Sequence, residues 1–180
     1  MSFARLFTDK MMADGVPPEY RWTFRDPMLL VFLAVVFVVA FFSTKYNMDA
    51  IQSGWYDTLV QPDWQPSKKV FPIVWTILYF LIAYSTYVAY RHSSGNERSQ
   101  VLIAFVVQIA LNFYWSYVFF GKKSVREALY VILALDVAAI VQFYLMYRVD
   151  QFSAMMFLPY LLWIGLATLL NLKIVQLNGY

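Results

Sequence analysis

The chain has 180 residues, of which 61% are hydrophobic and only 14% are charged, and its formal net charge is +3. A soluble domain of this length cannot bury so much apolar surface, because soluble chains are on average about half apolar and about a quarter charged, so the composition predicts an integral membrane protein. The lack of cysteine excludes disulfides, thiol catalysis and thiolate metal sites, and the lack of a long basic run excludes nucleic acid as a predicted partner.

Residues 1–27 are predicted to form a polar tail rather than a targeting signal. They mix basic residues such as Arg5 and Lys10 with acidic ones such as Asp9. A secretory signal needs an apolar region at once, and a mitochondrial presequence avoids acidic residues. A short amphipathic helix is expected around residues 3–12, and Pro17-Pro18 ends any helix that reaches them.

Five apolar stretches follow the tail and predict five membrane-spanning helices. A spanning helix needs about 20 apolar residues to cross a bilayer core of about 30 Å, and lipid offers no partner to a non-helical backbone. We therefore predict an all-α bundle over residues 28–176, with a tail at 177–180 and no internal repeat of the kind found in many transporters. The predicted helices cover about 27–44, 70–90, 101–120, 125–147 and 152–176.

The connection between the first two predicted helices, at about 45–69, is long and aromatic. It contains tryptophans and prolines, so we expect a rigid lid over a flat apolar ligand. The alternative is an aromatic belt at the membrane interface. The positive-inside rule favours a cytoplasmic lid and carboxy terminus, but counting Arg5 and Lys10 of the tail removes the difference between the two sides.

Polar and aromatic side chains recur at helical spacing in three of the predicted helices. Because an amide at membrane depth is costly without a partner, the two amides of the third helix are expected to face the bundle interior. The pattern predicts an aromatic small-molecule pocket, with amide-mediated helix packing or a packed aromatic core as alternatives. The stripes are Phe71, Trp75 and Tyr79 in the second helix, Gln108, Asn112, Trp115 and Phe119 in the third, and Trp163, Ala167 and Asn171 in the fifth.

Two ionisable residues are candidates for chemistry, Asp136 and His92. Asp136 is the acid that lies well inside a predicted helix, and we expect a protonated or hydrogen-bonded side chain with a structural role, near Asn112 or Gln142. His92, the sole histidine, is expected to be solvated in a short loop. No cluster has metal-ligand spacing and no nucleophile–base pair is evident, so no metal site is predicted and the chain is not expected to be an ordinary enzyme.

Five motifs together resemble those of the translocator protein family, also called tryptophan-rich sensory proteins (TspO/MBR). They are WYDTL, QPDWQP, FPIVWTILY, QIALNFYWSYVFFG and LPYLLWIGLATLLN. The resemblance implies a homodimer of five-helix chains, with a cavity under the first loop that binds protoporphyrin IX or haem-like tetrapyrroles, and in some members sterols or benzodiazepine-type drugs. No cofactor is implied, and the membrane it occupies, bacterial or organellar, is not implied either. By motif position the ligand-binding residues would be Trp55, Tyr56, Trp64, Pro66, Trp75, Tyr79, Asn112, Trp115, Trp163 and Ala167.

The chain departs from the family pattern in the lid and in the last helix. Ser67 replaces the second proline after the loop tryptophan, Gln61 stands where a lysine is common, and Asp63 replaces an aromatic residue. These changes affect the expected rigidity of the lid and its stacking on a porphyrin. The segment 170–173 lacks the tyrosine of the steroid-recognition pattern, which lowers the expectation of sterol binding.

Three functions are compatible with these observations. The first is a membrane receptor or sensor for tetrapyrroles, with Lys68 and Lys69 attracting the ligand's carboxylates. The second is light- and oxygen-dependent porphyrin breakdown, for which the resemblance suggests Trp55 and Trp64 as redox-active candidates. The third is a transporter of tetrapyrroles or lipids, which the lack of charged pathway residues disfavours. The sequence favours the receptor.

Overall fold

The computed structural model describes residues 26–180, and over that range all regular secondary structure is helical. Five long helices are each long and apolar enough to cross a membrane, which confirms the predicted five-helix integral membrane protein. The predicted amphipathic helix at 3–12 lies outside the described residues. The elements are α1 (Pro27–Gln52), a short α2 (Trp55–Thr58), α3 (Val70–His92), α4 (Gly95–Ser116), a π-helical turn (Tyr117–Gly121), α5 (Val125–Val149) and α6 (Gln151–Leu177).

The five long helices form a closed ring. Going around it, α1 packs on α3, α3 on α6, α6 on α5, α5 on α4, and α4 with its π turn returns to α1. Each helix turns apolar side chains such as Phe41, Ile103 and Leu162 outward, toward the position of lipid. Amides, hydroxyls and the larger aromatic rings therefore collect inside the ring, where they can pair with one another.

Two helices are longer than the sequence predicts, and the lid is correspondingly shorter. The first helix ends at Gln52 rather than near residue 44, because no helix-breaking residue occurs before Gly54, whose φ of 73° starts the turn into α2. The lid is therefore residues 53–69. At the other end of the bundle α4 begins at Gly95 rather than near 101, since its first polar turn lies outside the apolar stretch used for the prediction.

A glycine allows α1 to approach the π turn closely. The turn is widened by a hydrogen bond from the Lys122 N–H to the Tyr117 carbonyl, at 2.8 Å. A Cβ atom at Gly121 would lie 2.9 Å from the Tyr117 ring and 3.1 Å from the Tyr46 ring of α1. A larger residue at Gly121 would push α1 away from the end of α4, immediately beneath the lid.

A carboxylate joins α1 and α3 at the bundle end opposite the lid. Asp26 caps α1 by accepting the Met28 N–H at 3.0 Å and also accepts the Tyr87 hydroxyl at 2.7 Å. It forms an ion pair with Arg91 as well. The Tyr87 hydroxyl is the largest cause that holds the pKa of Asp26 below its ordinary value, and burial opposes this shift only in part.

The prediction that His92 is solvated is wrong. Its Nδ1 lies 3.1 Å from the carboxylate of Asp150, which also caps α6 by accepting the Ser153 N–H. The two residues meet because the end of α3 and the start of α6 adjoin in the ring. That adjacency follows from the helix order and leaves no mark in the local sequence around His92.

Replacing Asp26 with Asn is expected to lower the free energy of unfolding by about 1 kcal/mol at pH 7. Asn preserves the helix cap, so the loss reports the charge. Because the pKa of Asp26 is lowered by folding, its contribution is fully present above about pH 4 and is lost as the pH falls through the lowered value. Thermal unfolding of both proteins in lipid nanodiscs at pH 7 and pH 3 measures this. A difference of the same size at both pH values would contradict the assignment.

Candidate functional site

Aromatic rings from three helices meet inside the ring, in the half nearer the lid. The Trp75 ring is 5.6 Å from that of Tyr79, one turn along α3, and 6.4 Å from both Trp115 of α4 and Tyr160 of α6, measured between centroids. Trp75 and Trp115 are inclined by 30°. We call these four residues the aromatic core. Three of them, Trp75, Tyr79 and Trp115, belong to the stripes predicted from helical spacing in α3 and α4.

A buried hydrogen-bond network ties the aromatic core together. The Tyr79 hydroxyl donates to Asn112 Oδ1 at 2.9 Å, and Asn112 Nδ2 donates to the Tyr160 hydroxyl at 3.2 Å. Gln108 Nε2 donates to the same hydroxyl. The four residues of this network are almost fully buried, namely Tyr79, Gln108, Asn112 and Tyr160. The prediction that the two amides face inward is therefore confirmed. The arrangement links α3, α4 and α6 at a depth where water is scarce.

Sequence reasoning missed Tyr160 as a site residue. The stripe predicted for this helix begins at Trp163 and therefore does not include Tyr160. A tyrosine whose hydroxyl accepts two amide hydrogen bonds is the centre of the network rather than an edge of it. The available signal was the spacing Tyr160–Ile164–Ala167, which puts Tyr160 on the same face of α6 as the predicted Ala167.

A second polar connection holds the indole of Trp115. Its Nε1 donates to Asn171 Oδ1 of α6 at 3.2 Å, and Asn171 Nδ2 donates to the Val125 carbonyl at 2.9 Å. Asn171 thus links α6 to the first residue of α5 and orients the Trp115 ring at the same time. The ring plane of Trp115 is therefore determined by α6, although the residue itself belongs to α4.

The lid covers the end of the ring above the aromatic core. Trp55 lies 6.0 Å from the Phe119 ring, and Tyr56 lies 5.8 Å from the Phe120 ring. Burial raises the pKa of the Tyr56 phenol, so it stays protonated at neutral pH. Pro66 is half-buried in the lid. Phe119 also contacts Trp115, with 5.8 Å between centroids, so aromatic contacts run from the lid down to the core.

Two further predicted ligand residues, Trp163 and Trp64, belong neither to the aromatic core nor to the ring contacts that run from the lid to it. Trp163 lies edge-on to Phe71 of α3, at 5.7 Å, beside an apolar groove of about 430 Å³ between α3 and α6. Its indole N–H is buried and meets no acceptor among residues 26–180. Trp64 is 51% exposed and makes no ring contact within the described part of the chain. Trp55 is half-buried, so the two redox candidates, Trp55 and Trp64, have different surroundings.

Asp136, the carboxylate within a membrane-spanning helix, is paired with Thr168 and not with Asn112 or Gln142. Asp136 accepts the hydroxyl of Thr168 at 2.8 Å, across the seam between α5 and α6. Gln142 instead donates to Thr86 at 3.1 Å. Asp136 therefore contributes to helix pairing outside the aromatic core. Within residues 26–180 no group of three histidine or acidic side chains could hold a metal ion.

Comparison with known proteins points to one family. A sequence model described as the TspO/MBR family matches residues 28–177. The chain is 37% identical over 151 residues to a "Tryptophan-rich protein TspO" of Archaeoglobus fulgidus, covering 84% of this chain and 94% of the relative. It is 37% identical over 124 residues to a "Tryptophan-rich sensory protein" of Cereibacter sphaeroides, covering 69% and 77%. It is 33% identical over 119 residues to the human "Translocator protein", covering 65% and 70%.

Replacing Tyr160 with Phe is expected to lower the free energy of unfolding by about 1–3 kcal/mol, because two buried amide donors lose their acceptor. Replacing Tyr130 with Phe is the matched control, since that side chain is 67% exposed on the outside of α5. The control should change stability by less than about 0.5 kcal/mol. Thermal unfolding in nanodiscs compares the two. Equal stability of both variants would show that the network contributes nothing net.

Proposed function

This chain belongs to the TspO/MBR family of multi-pass membrane proteins, and from that premise we propose that it is a membrane receptor for porphyrins. The ligand would be protoporphyrin IX or a similar flat tetrapyrrole, held in the aromatic core beneath the lid. The names of its relatives, a sensory protein and a translocator protein, agree with a chain that binds a small molecule. No cofactor is needed for this role.

The observation that carries the proposal is the pairing of two neighbouring tryptophan rings, Trp75 and Trp115, with a row of polar atoms. Trp75 and Trp115, inclined by 30°, can contact the two faces or one extended face of a flat ring system. Tyr79, Asn112 and Tyr160 place hydroxyl and amide groups beside those rings. A site with apolar walls and a few fixed polar groups is the usual design of a small-molecule pocket.

The rings of the aromatic core contact one another, so a ligand has to separate them. Trp75 is the residue that moves, because it is only partly buried, whereas Trp115 and Tyr160 are each held by hydrogen bonds. Stacking is worth about 1–3 kcal/mol per ring on the nearest available scale. Replacing ring–ring contacts by ring–porphyrin contacts keeps that stacking, and the larger π surface of a porphyrin adds to it.

Charge at the lid end agrees with an acidic ligand. Lys68 is already paired with Asp57 of α2 and lies 5.6 Å from the Tyr56 ring, so it contributes little free charge. Lys69 is exposed, and Lys123 lies 5.9 Å from the Trp55 ring. Of the two lysines predicted to attract carboxylates, Lys69 is the one available. Lys123 is an additional cation that the sequence did not single out.

The homodimer implied by the family resemblance belongs to the same proposal. The outer face of α4 carries exposed apolar side chains, among them Ile103, Val106 and Tyr114, and such a face can pack against a second copy in the membrane. Ala104 is buried inside the bundle, so it does not contribute to this face.

Replacing Trp75 with Ala is expected to weaken protoporphyrin IX binding about tenfold or more, because one stacking surface is lost. The matched control is Tyr144→Ala, which removes an exposed aromatic ring from the outside of α5. Titration in the dark, followed by the porphyrin absorbance band, gives the Kd of each protein in the same nanodiscs. Using the porphyrin signal avoids the change in protein fluorescence that loss of a tryptophan causes.

Three results would contradict the proposal. Binding that never saturates would indicate partition into lipid. Saturable binding that Trp75→Ala leaves unchanged would place the ligand elsewhere, for instance in the groove beside Trp163. Equal weakening by Trp75→Ala and Tyr144→Ala would point to contact with outer aromatic rings and not with the aromatic core.

A further inference from the structure

The second half of the lid has one hydrogen-bonded connection to the bundle. Within the described residues, the segment 59–69 makes no side-chain or backbone hydrogen bond to α1, α4, α5 or α6. Its connection is to Asn178, which directly follows α6 and lies 118 positions away from its partner Val60. The hydrogen bonds between this segment and the bundle therefore depend on one residue, Asn178.

The connection uses both ends of one amide group. The Val60 N–H donates to Asn178 Oδ1 at 2.9 Å, and Asn178 Nδ2 donates to the Val60 carbonyl at 2.9 Å. The side-chain amide therefore pairs with the backbone of Val60 as a neighbouring strand would. The second hydrogen of Nδ2 goes to the Ile174 carbonyl at 2.8 Å, which also orients the amide. No other residue type of this size supplies two donors and an acceptor in this geometry.

The remaining hydrogen bonds and ion pairs of residues 59–69 are internal to the lid, whereas Ser53, at the start of the lid, accepts a hydrogen bond from Lys123 at 3.2 Å. Lys68 pairs with Asp57, Gln65 donates to Gln61 at 2.6 Å, and Gln61 donates to the Tyr56 carbonyl at 3.1 Å. These bonds keep the lid together whether or not it touches the bundle. A segment that is cross-linked internally and attached externally at one point can move as a unit.

The apolar contacts of the lid lie close to the same point. Leu59 is buried in a cluster that includes Ile174 and Val175 at the end of α6, so the residue before Val60 sits against the helix that carries Asn178. The Val60 side chain itself is 55% exposed. Water can reach this connection and replace its hydrogen bonds, which makes the attachment reversible.

We propose that Asn178 is a latch: it holds the lid closed over the aromatic core and thereby sets the rates at which a ligand enters and leaves. Asn178 is a positioning residue and does not touch the ligand. The part that concerns the ligand depends on the proposed function, whereas the attachment of the lid does not.

The first test needs no ligand. Asn178→Ala and Asn178→Asp both remove the donor to the Val60 carbonyl, and Asn178→Ala also removes the acceptor of the Val60 N–H. Gln176→Ala is the matched control, because Gln176 is exposed on the same helix end. Hydrogen–deuterium exchange in nanodiscs should speed up about tenfold across residues 59–69 in both Asn178 variants. Exchange in α5 should stay unchanged, which separates latch opening from general unfolding. Unchanged exchange in the lid of both variants, or equal acceleration by Gln176→Ala, would overturn the latch.

The second test measures rates. With protoporphyrin IX, both kon and koff of the Asn178 variants should rise about tenfold, a change that corresponds to about 1.4 kcal/mol in lid opening. The Kd should stay within about threefold, because the lid opens more often in the free and bound proteins alike. Faster exchange in the lid with unchanged binding rates would overturn the gating role. No saturable binding by the unsubstituted protein would refute the proposed function, and the exchange experiment would still decide the latch.

A third variant tests the opposite direction. Because the chain contains no cysteine, a Val60→Cys, Asn178→Cys pair can be cross-linked selectively with a short, cleavable thiol reagent. Cross-linking should slow kon and koff below the values of the uncross-linked pair, and cleavage should restore them. Binding rates that do not respond to a formed cross-link would overturn the latch proposal, even if single Asn178 variants fold poorly.

Discussion

The buried hydrogen bonds around Tyr160 are the constraint on which the rest of the bundle depends. Lipid cannot replace a lost partner for a hydroxyl or an amide, so Tyr79, Asn112 and Tyr160 must pair with one another or remain unsatisfied. Pairing them requires α3, α4 and α6 to meet at one depth and with one rotation. Apolar contacts alone would allow these helices to slide or rotate at little cost, because lipid tails are as apolar as the side chains they replace.

The same constraint explains where the aromatic rings lie. Trp75 and Tyr79 are one turn apart on α3, so orienting the Tyr79 hydroxyl toward Asn112 also turns the Trp75 ring inward. On α4, Asn112 and Trp115 are three residues apart, and Asn171 completes the orientation of Trp115. Polar groups therefore determine the positions of the rings, and the rings supply most of the apolar surface of the site.

Hydropathy and helical spacing predicted the five spans and the inward faces of α3 and α4, because each depends on residues that are near in sequence. Contacts between side chains of different helices could not be predicted, because they depend on the order of the helices in the ring. The pairing of His92 with Asp150, of Asp136 with Thr168 and of Trp115 with Asn171 each joins helices whose adjacency no local pattern records. The end of α1 was misplaced for another reason: its last turns are polar and lie beyond the apolar stretch, yet nothing stops the helix before Gly54.

The two sets of hydrogen bonds differ in environment, and that difference agrees with the proposed receptor and with the proposed opening of its lid. The bonds around Tyr160 are out of reach of water, so opening them leaves groups unsatisfied and is expensive. The bonds between Val60 and Asn178 are exposed, so water takes over as they open and the net cost is small. The helices can therefore keep their arrangement while the lid exchanges between closed and open. In this proposal, motion is confined to residues 59–69, whose polar contacts are either internal to the lid or replaceable by water, and the aromatic core keeps its geometry when the lid opens.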